Sequence, residues 1–345
     1  MTASPILGIT LGDPAGIGPE VTVRALPAAI ARGDSRPIVL GDARVVREAA
    51  ARWLDGWSVR VVADPAEAGP AEGRIDVLDL RNCDPARVAV GAVDAYTGQA
   101  AYETVVRATE LALAGRIDAI VTGPLNKEAM HRAGHKFDGH TGLLGHLCGT
   151  RHYFMLLGSP RLRAIHVSTH LALREAVERV TRERVRAAIQ AAHDHMRQLG
   201  IAAPRIGVCG LNPHAGEHGL FGAEDEERVR PACEDAARAG VRVDGPLPAD
   251  AAFRQAYAGQ WDILVVMYHD QGHVPMKLIA FEDGVNVTVG LPIIRTSVEH
   301  GTAFDIAGQG VANPANMEAA IDYARRLAAN PSRCRAIGAG VKCGP

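Results

Sequence analysis

The chain has 345 residues, 47% apolar and 22% charged, with 37 Lys+Arg against 39 Asp+Glu. At about 150 residues per domain this length gives roughly two domains, and the near-neutral charge excludes the strong basic field that a nucleic-acid partner needs. Only 4% of residues are aromatic, which argues against a base-stacking platform, and no apolar run approaches the ~18 residues of a membrane span.

In chain order, Ile6–Thr10 reads as a short apolar strand, followed by a Gly/Pro turn and a helix over Gly18–Arg32. Pro37–Leu40 is strand-like, Ala43–Trp53 helical, and Ser58–Val62 and Ile75–Leu78 are strands. Ala95–Ala114 reads as a long helix stopped by Gly115. Asp118–Thr122, Leu162–Thr169, Arg205–Gly210 and Ile263–Tyr268 repeat the buried-strand theme. Between them lie helices over Thr181–Leu199 and Ala223–Ala239. Residues 84–100 and 244–262 read as irregular, and the tail 331–345 loses periodicity and reads as frayed. Strands alternating with helices indicate an α/β protein with largely parallel sheets.

The opening MTASPILGIT lacks the basic-then-apolar pattern of a signal peptide. The six cysteines form no CxxC pair and read as buried small residues or surface thiols. The expected location is the cytoplasm, with reduced thiols.

The chain carries 14 histidines, and three of them follow apolar strands. His170 ends RLRAIHVSTH, His214 follows RIGVCG, and His269 follows ILVVMY. In open α/β sheets ligands bind beyond the carboxyl ends of strands. Three strand-end imidazoles converging there make a divalent-metal site with room for substrate oxygens. The simpler reading of each is a hydrogen-bonded loop histidine, and for the three together the two readings weigh about equally.

Lys277, in the apolar run VPMKLIAF, suits proton transfer if buried. A lysine whose head snorkels to water is the commoner outcome. Arg295, after GLPII, can fork onto a carboxylate or phosphate, or form an ordinary surface ion pair. In KFDGHTGLLGH, His140 and Thr141 open a helix-like run. That position suits an anion or a plain N-cap by Thr141. LGDPAGIGPE joins strand to helix but is not GxGxxG, and no GxxxxGK[ST] is present, so a nucleotide would be held without a Rossmann fingerprint.

Taken together, ITLGDPAGIGPE, TGPLNKEAMHRAG, GHTGLLGH, STHLALRE, LNPHAGEHGLFGAEDEE, YHDQGH and GVNVTVGLPIIRTSVEHGTAFDIAGQG resemble the PdxA family of 4-hydroxythreonine-4-phosphate dehydrogenases, from about residue 6 to 328. GIGPE and HGTAFDIAGQGVANP also resemble the wider isocitrate/isopropylmalate dehydrogenase group. The resemblance implies a two-domain α/β fold of that type, with residues 1–137 plus 288–330 in the first domain and 138–287 in the second. It implies His170, His214 and His269 as metal ligands, and His140, Thr141, Lys277, Asn286 and Arg295 as substrate contacts. Lys277 or Asp250 would be the base. Gly301, Asp305 and Gly308 would lie on the loop holding NAD or NADP. The metal would be zinc first, with Mg, Co, Mn or Ni as alternatives. The family's active sites lie at a homodimer interface, with ligands drawn from both chains.

The implied reaction is oxidation of the C3 hydroxyl of a small phosphorylated hydroxy acid, then decarboxylation of the β-keto acid. The first substrate expectation is 4-phosphohydroxy-L-threonine, giving 3-amino-2-oxopropyl phosphate in pyridoxal phosphate synthesis. PLNKEA, HGLFG and YHDQGH look closer to a branch acting on 4-phospho-D-threonate or 4-phospho-D-erythronate. Gly142 also stands where many relatives carry Glu. More distant alternatives are a cis-dihydrodiol dehydrogenase, a non-redox metal aldolase and a metabolite sensor.

Overall fold

The structure is a computed structural model that describes residues 4–330. It divides into one unit of residues 4–152 and 291–329 and another of 153–290 with Asn330. The first unit contains β1 (Ile6–Thr10), α1 (Gly18–Arg32), β2 (Arg36–Gly41), α2 (Ala43–Trp53), β3 (Ser58–Val62), β4 (Arg74–Asp79), α3 (Ala95–Leu113), β5 (Ala119–Thr122), α4 (Lys127–Arg132) and α5 (His140–Leu147). The second contains β6 (Phe154–Gly158), β7 (Arg163–His166), α6 (Leu173–Arg179), α7 (Arg182–Gln198), β8 (Ile206–Cys209), α8 (Arg230–Arg238), β9 (Val243–Leu247), α9 (Ala249–Tyr257), β10 (Ile263–Val266), α10 (His269–Ile279) and β11 (Val285–Val289). The chain then returns to the first unit with β12 (Arg295–Ser297) and α11 (Ala315–Ala328).

The strands of the first unit run in the order β3-β4-β2-β1-β5-β12, every pair parallel. Every residue of β1 and β5 is buried. That is why they read as continuous apolar runs: helices cover a parallel sheet on both faces. Leu143 and Leu144 of α5 are fully buried in this unit's core with Ile38, Val105 and Ile120. Each such side chain contributes about 1.5–3 kcal/mol of burial. This packing keeps α5 in the first unit, so the first cut falls at 152/153, where the sequence placed it at 137/138.

The second unit orders its strands β11-β6-β7-β10-β8-β9, with β6 antiparallel to both its neighbours and the remaining pairs parallel. Its core gathers Leu157, Ala164, Phe253, Leu264, Val266 and Met276. The 244–262 stretch, expected to be irregular, instead forms most of β9 and all of α9. The sequence reading also passed over β6, β11 and β12. All three are short, and β11 and β12 pair with strands far away in the chain, β6 and β5, which local periodicity cannot register. The helix expected over Ala223–Ala239 starts as a π turn at Asp225–Val229, and regular α8 begins only at Arg230. Pro231 has no N–H to donate, and the wider turn lies directly before it.

Among the described residues, Cys83, Cys148, Cys209 and Cys233 are free, and no helix is long and apolar enough to cross a membrane. Cys334, Cys343 and the tail expected to fray lie outside the described residues.

Candidate active site

The first unit assembles a set of groups suited to an anion. The N-cap of α5 is Gly139, at φ 131, with no side-chain cap bond. Thr141 is therefore not the cap but sits in the first turn, where amide N–H groups lack intrahelical acceptors. His140 opens the helix, and its Nε2 is buried without a partner. Burial of the ring, and then the Arg295 charge, hold His140 well below the ordinary histidine range. Arg295 itself is 3% exposed. It is not the surface ion pair that was the simpler reading. Its Nε and Nη2 donate to Thr122 Oγ1 at 3.2 and 2.7 Å. Burial pulls it down to about 9, so it stays charged at neutral pH. A buried cation beside a neutral imidazole and a helix N-terminus is the chemistry that takes phosphate. Thr122 was not among the expected site residues; its only signal was its place at the end of β5 as the first residue of TGPLNKE.

Gly142 lies in the same helix. A Cβ there would meet Asp138 Oδ1 at 2.0 Å. The Asp138 carboxylate already occupies the space beside α5 that a side chain at 142 would need.

The second unit places the candidate metal histidines after three neighbouring parallel strands, ordered β7-β10-β8. The rings of His170 and His269 lie 5.7 Å apart, centroid to centroid. His269 Nδ1–H donates to Asp270 at 2.7 Å, which leaves Nε2 with its lone pair for a metal. His214 does not join them: its ring packs 6.0 Å from Phe221. Among the described residues no three His, Cys, Asp or Glu side chains are grouped to hold a metal ion. Convergence of all three imidazoles within one chain is thus corrected to a pair.

The reason lies in the turn after β8. Residues His214 to His218 all take positive φ, from 43° to 79°. A left-handed run costs roughly 1–2 kcal/mol per non-glycine residue, so something must hold it. Buried Asp225 does so in part, accepting the amides of Leu211 and Asn212 at 2.7 and 3.0 Å. The sequence reading missed Asp225, which looked like one more acid in GAEDEE.

Two further histidines were also missed. His166 is buried at the carboxyl end of β7 and His273 lies one turn beyond His269. His166 Nε2 and His273 Nδ1 are 3.1 Å apart. Burial and then the neighbouring imidazole push His166 down to about 3 and His273 down to about 4.

Lys277 is exposed on α10. The buried lysine that the apolar run suggested is not observed, because its neighbours Val274 and Leu278 are themselves exposed, at 55% and 81%. Lys277 follows His269 and His273 at helical spacing, and its charge reaches His273. Asn286 Oδ1 in β11 is buried without a partner. Asp250 is exposed in the first turn of α9, a helix packed beside the His214 turn.

The loop carrying Gly301, Asp305 and Gly308 is held against α1. Glu20 Oε1 accepts the Ala312 amide at 2.9 Å, and Arg24 donates to the Ala312 carbonyl at 2.7 Å. Gly16 brings the GDPAGIG turn against it: Ile17 N–H donates to the Thr302 carbonyl at 3.0 Å, and a Cβ at 16 would stand 2.7 Å from that oxygen. A cavity of about 450 Å³ lies where this loop meets α2, lined by Pro14, Gly16, Arg52, Trp53, Val90 and Gly308. Gly301 and Asp305 are exposed.

The family model for the pyridoxal phosphate biosynthetic protein PdxA matches residues 34–324. The chain belongs to the PdxA family. This PdxA chain is similar to the D-threonate 4-phosphate dehydrogenase of Cupriavidus necator, 48% identical over 94% of this chain and 97% of the relative. It is also similar to the 4-hydroxythreonine-4-phosphate dehydrogenase structure from Klebsiella pneumoniae, with TM-score 0.87, 44% identity, and 95% and 99% of the two chains covered. A terephthalate 1,2-cis-dihydrodiol dehydrogenase structure from Burkholderia xenovorans aligns with TM-score 0.69 and 32% identity, over 94% and 98%.

Proposed function

We propose that this PdxA-family chain is a dehydrogenase that oxidises the C3 hydroxyl of D-threonate 4-phosphate with NAD or NADP, assisted by one divalent metal ion, zinc first. The observation that carries a phosphorylated substrate is the buried Arg295 cation together with the buried, unpartnered Nε2 of His140 at the N-terminus of α5, whose first turn holds Thr141. The choice of D-threonate over the first expectation, 4-phosphohydroxy-L-threonine, is supported by the name of the Cupriavidus relative and by Gly142 in place of Glu. The Klebsiella relative's name keeps the amino substrate as the second reading.

In this reading Arg295, Thr141 and His140 bind the phosphate and supply binding energy remote from the reacting carbon. The unpartnered Asn286 Oδ1 accepts a substrate hydroxyl. Lys277, on the helix that carries His269, takes the C3 hydroxyl proton, and Asp250 is the second candidate for that role. His170 and His269 of one chain, with His214 of a second copy, would hold the metal, which when bound lowers the hydroxyl pKa and steadies the alkoxide. A nicotinamide cofactor, when bound, would supply the hydride acceptor for C3, and the resulting β-keto acid would be set to lose CO₂. The 450 Å³ cavity at Gly308 is of a size to take the cofactor's base, with Asp305 and Gly301 on the same loop.

A homodimer fits the outer surface near each histidine. Leu173 near His170, Leu220 beyond His214, and Leu278 and Phe281 beyond His269 are 65%, 72%, 81% and 76% exposed. Large exposed apolar groups mark interaction sites, and a two-fold contact would let each copy supply what the other lacks.

The deciding assay follows NAD⁺ or NADP⁺ reduction with D-threonate 4-phosphate and 4-phosphohydroxy-L-threonine in parallel, with and without zinc. A tenfold preference for the first, about 1.4 kcal/mol, is expected. The reverse preference hands the chain to the second reading, and no reduction with either overturns the dehydrogenase assignment.

A further inference from the structure

The imidazoles of the second unit form a chain whose proton positions follow from the partners. Met155 O, a carbonyl, accepts from His166 Nδ1–H at 3.2 Å. His166 Nε2 therefore carries a lone pair, and it lies 3.1 Å from His273 Nδ1. The His269 carbonyl lies at the same 3.1 Å from that nitrogen. Both neighbours are acceptors, so His273 is the Nδ1–H tautomer. Its ring then stacks on His269, centroids 3.6 Å apart and planes 11° apart. Gly272 makes the contact possible, since a Cβ there would come within 2.3 Å of His166 Nε2.

His269 is thus held on two sides. Asp270 takes its Nδ1–H at the edge, and His273 covers one face. The first bond fixes the tautomer. It leaves the ring plane free to swing about the side-chain torsions, and a stacked neighbour anchored in the sheet removes that freedom.

We propose that His273 is a positioning residue for His269, clamping its ring by stacking, and that buried His166 is the anchor that holds His273 in place. The inference rests on the proposed role of His269 as a metal ligand. Outer groups of this kind typically govern metal affinity by about 10- to 100-fold.

The test uses the full-length protein and metal alone. Co²⁺ affinity is measured by competition with a chromogenic chelator, together with the visible Co²⁺ spectrum and thermal unfolding. His273→Leu removes the stacked ring and leaves His166 Nε2 without a donor. The double variant His166→Leu/His273→Leu removes both polar partners together, so no orphaned nitrogen remains to unfold the chain. His273→Phe keeps a ring to stack but drops the hydrogen bond. The expected result is at least tenfold weaker Co²⁺ binding and an altered spectrum in the first two, with His273→Phe falling nearer the wild type. Wild-type affinity and spectrum in the folded double variant would overturn the proposal. His269→Ala keeps the two failures apart: undiminished Co²⁺ binding there sinks the metal-ligand reading itself, whatever the His273 variants do.

Discussion

The two polar clusters solve opposite problems. In the first unit His140 Nε2 is buried with no partner beside the buried Arg295 charge. In the second unit His166, His273 and His269 meet one another's needs, by bond and by stacking, down to a backbone carbonyl. An unpaired buried polar group costs about 1–3 kcal/mol, and a ligand that satisfies it recovers that cost. A closed network instead spends its bonds on rigidity. The first cluster is built to gain a partner, and the second to hold an outward ring still.

The contrast predicts the most severe loss from His170→Ala or His269→Ala. Metal stabilisation of transition-state charge amounts to several kcal/mol, so kcat should fall about a thousandfold or more with the fold intact by circular dichroism. Activity near wild type would dissolve the second cluster's role. Arg295→Met should act through KM: losing charged hydrogen bonds of about 1.5–3 kcal/mol raises KM roughly 10- to 100-fold. With a substrate lacking phosphate, wild type and variant should converge, and a difference that persists would place Arg295 elsewhere in the chemistry.

A smaller change is expected from Gly142→Glu. The new side chain must displace Asp138 and bring a second carboxylate beside α5. It should move the kcat/KM ratio toward the amino substrate by about fivefold, on the order of 1 kcal/mol for an exposed ion pair. An unchanged ratio would remove Gly142 from substrate choice.

The smallest effect concerns stability alone. Burial, and then the Arg163 charge, push His195 of α7 down to about 3. Its native state stays neutral while the unfolded chain takes up a proton below the ordinary value of 6.5. The stability it contributes is complete above pH 6.5 and is lost as pH falls toward 3. Urea midpoints for His195→Leu should fall less steeply between pH 6 and 4 than those of the wild type, by about one proton of slope. Parallel curves would show the residue does not titrate this way.

By itself the sequence determined what depends on near neighbours. The strand–helix alternation, the placing of His170, His214 and His269 after three strands, and Arg295 after an apolar run were all legible, because apolar periodicity and turn residues act over a few positions. The residues it could not supply belong to long-range pairs. His166 meets His273 across 107 positions, and Arg295 meets Thr122 across 173. Nothing in the local pattern of RAIH marks its closing histidine as an anchor, nor Asp225 as the acceptor that holds the left-handed turn. Lys277 shows the converse: its apolar neighbours suggested burial, and the packing of α10 left them at the surface. Only the tertiary structure decided which polar groups would be satisfied inside the chain and which left waiting, because that depends on what the fold brings within about 3 Å, the reach of a hydrogen bond.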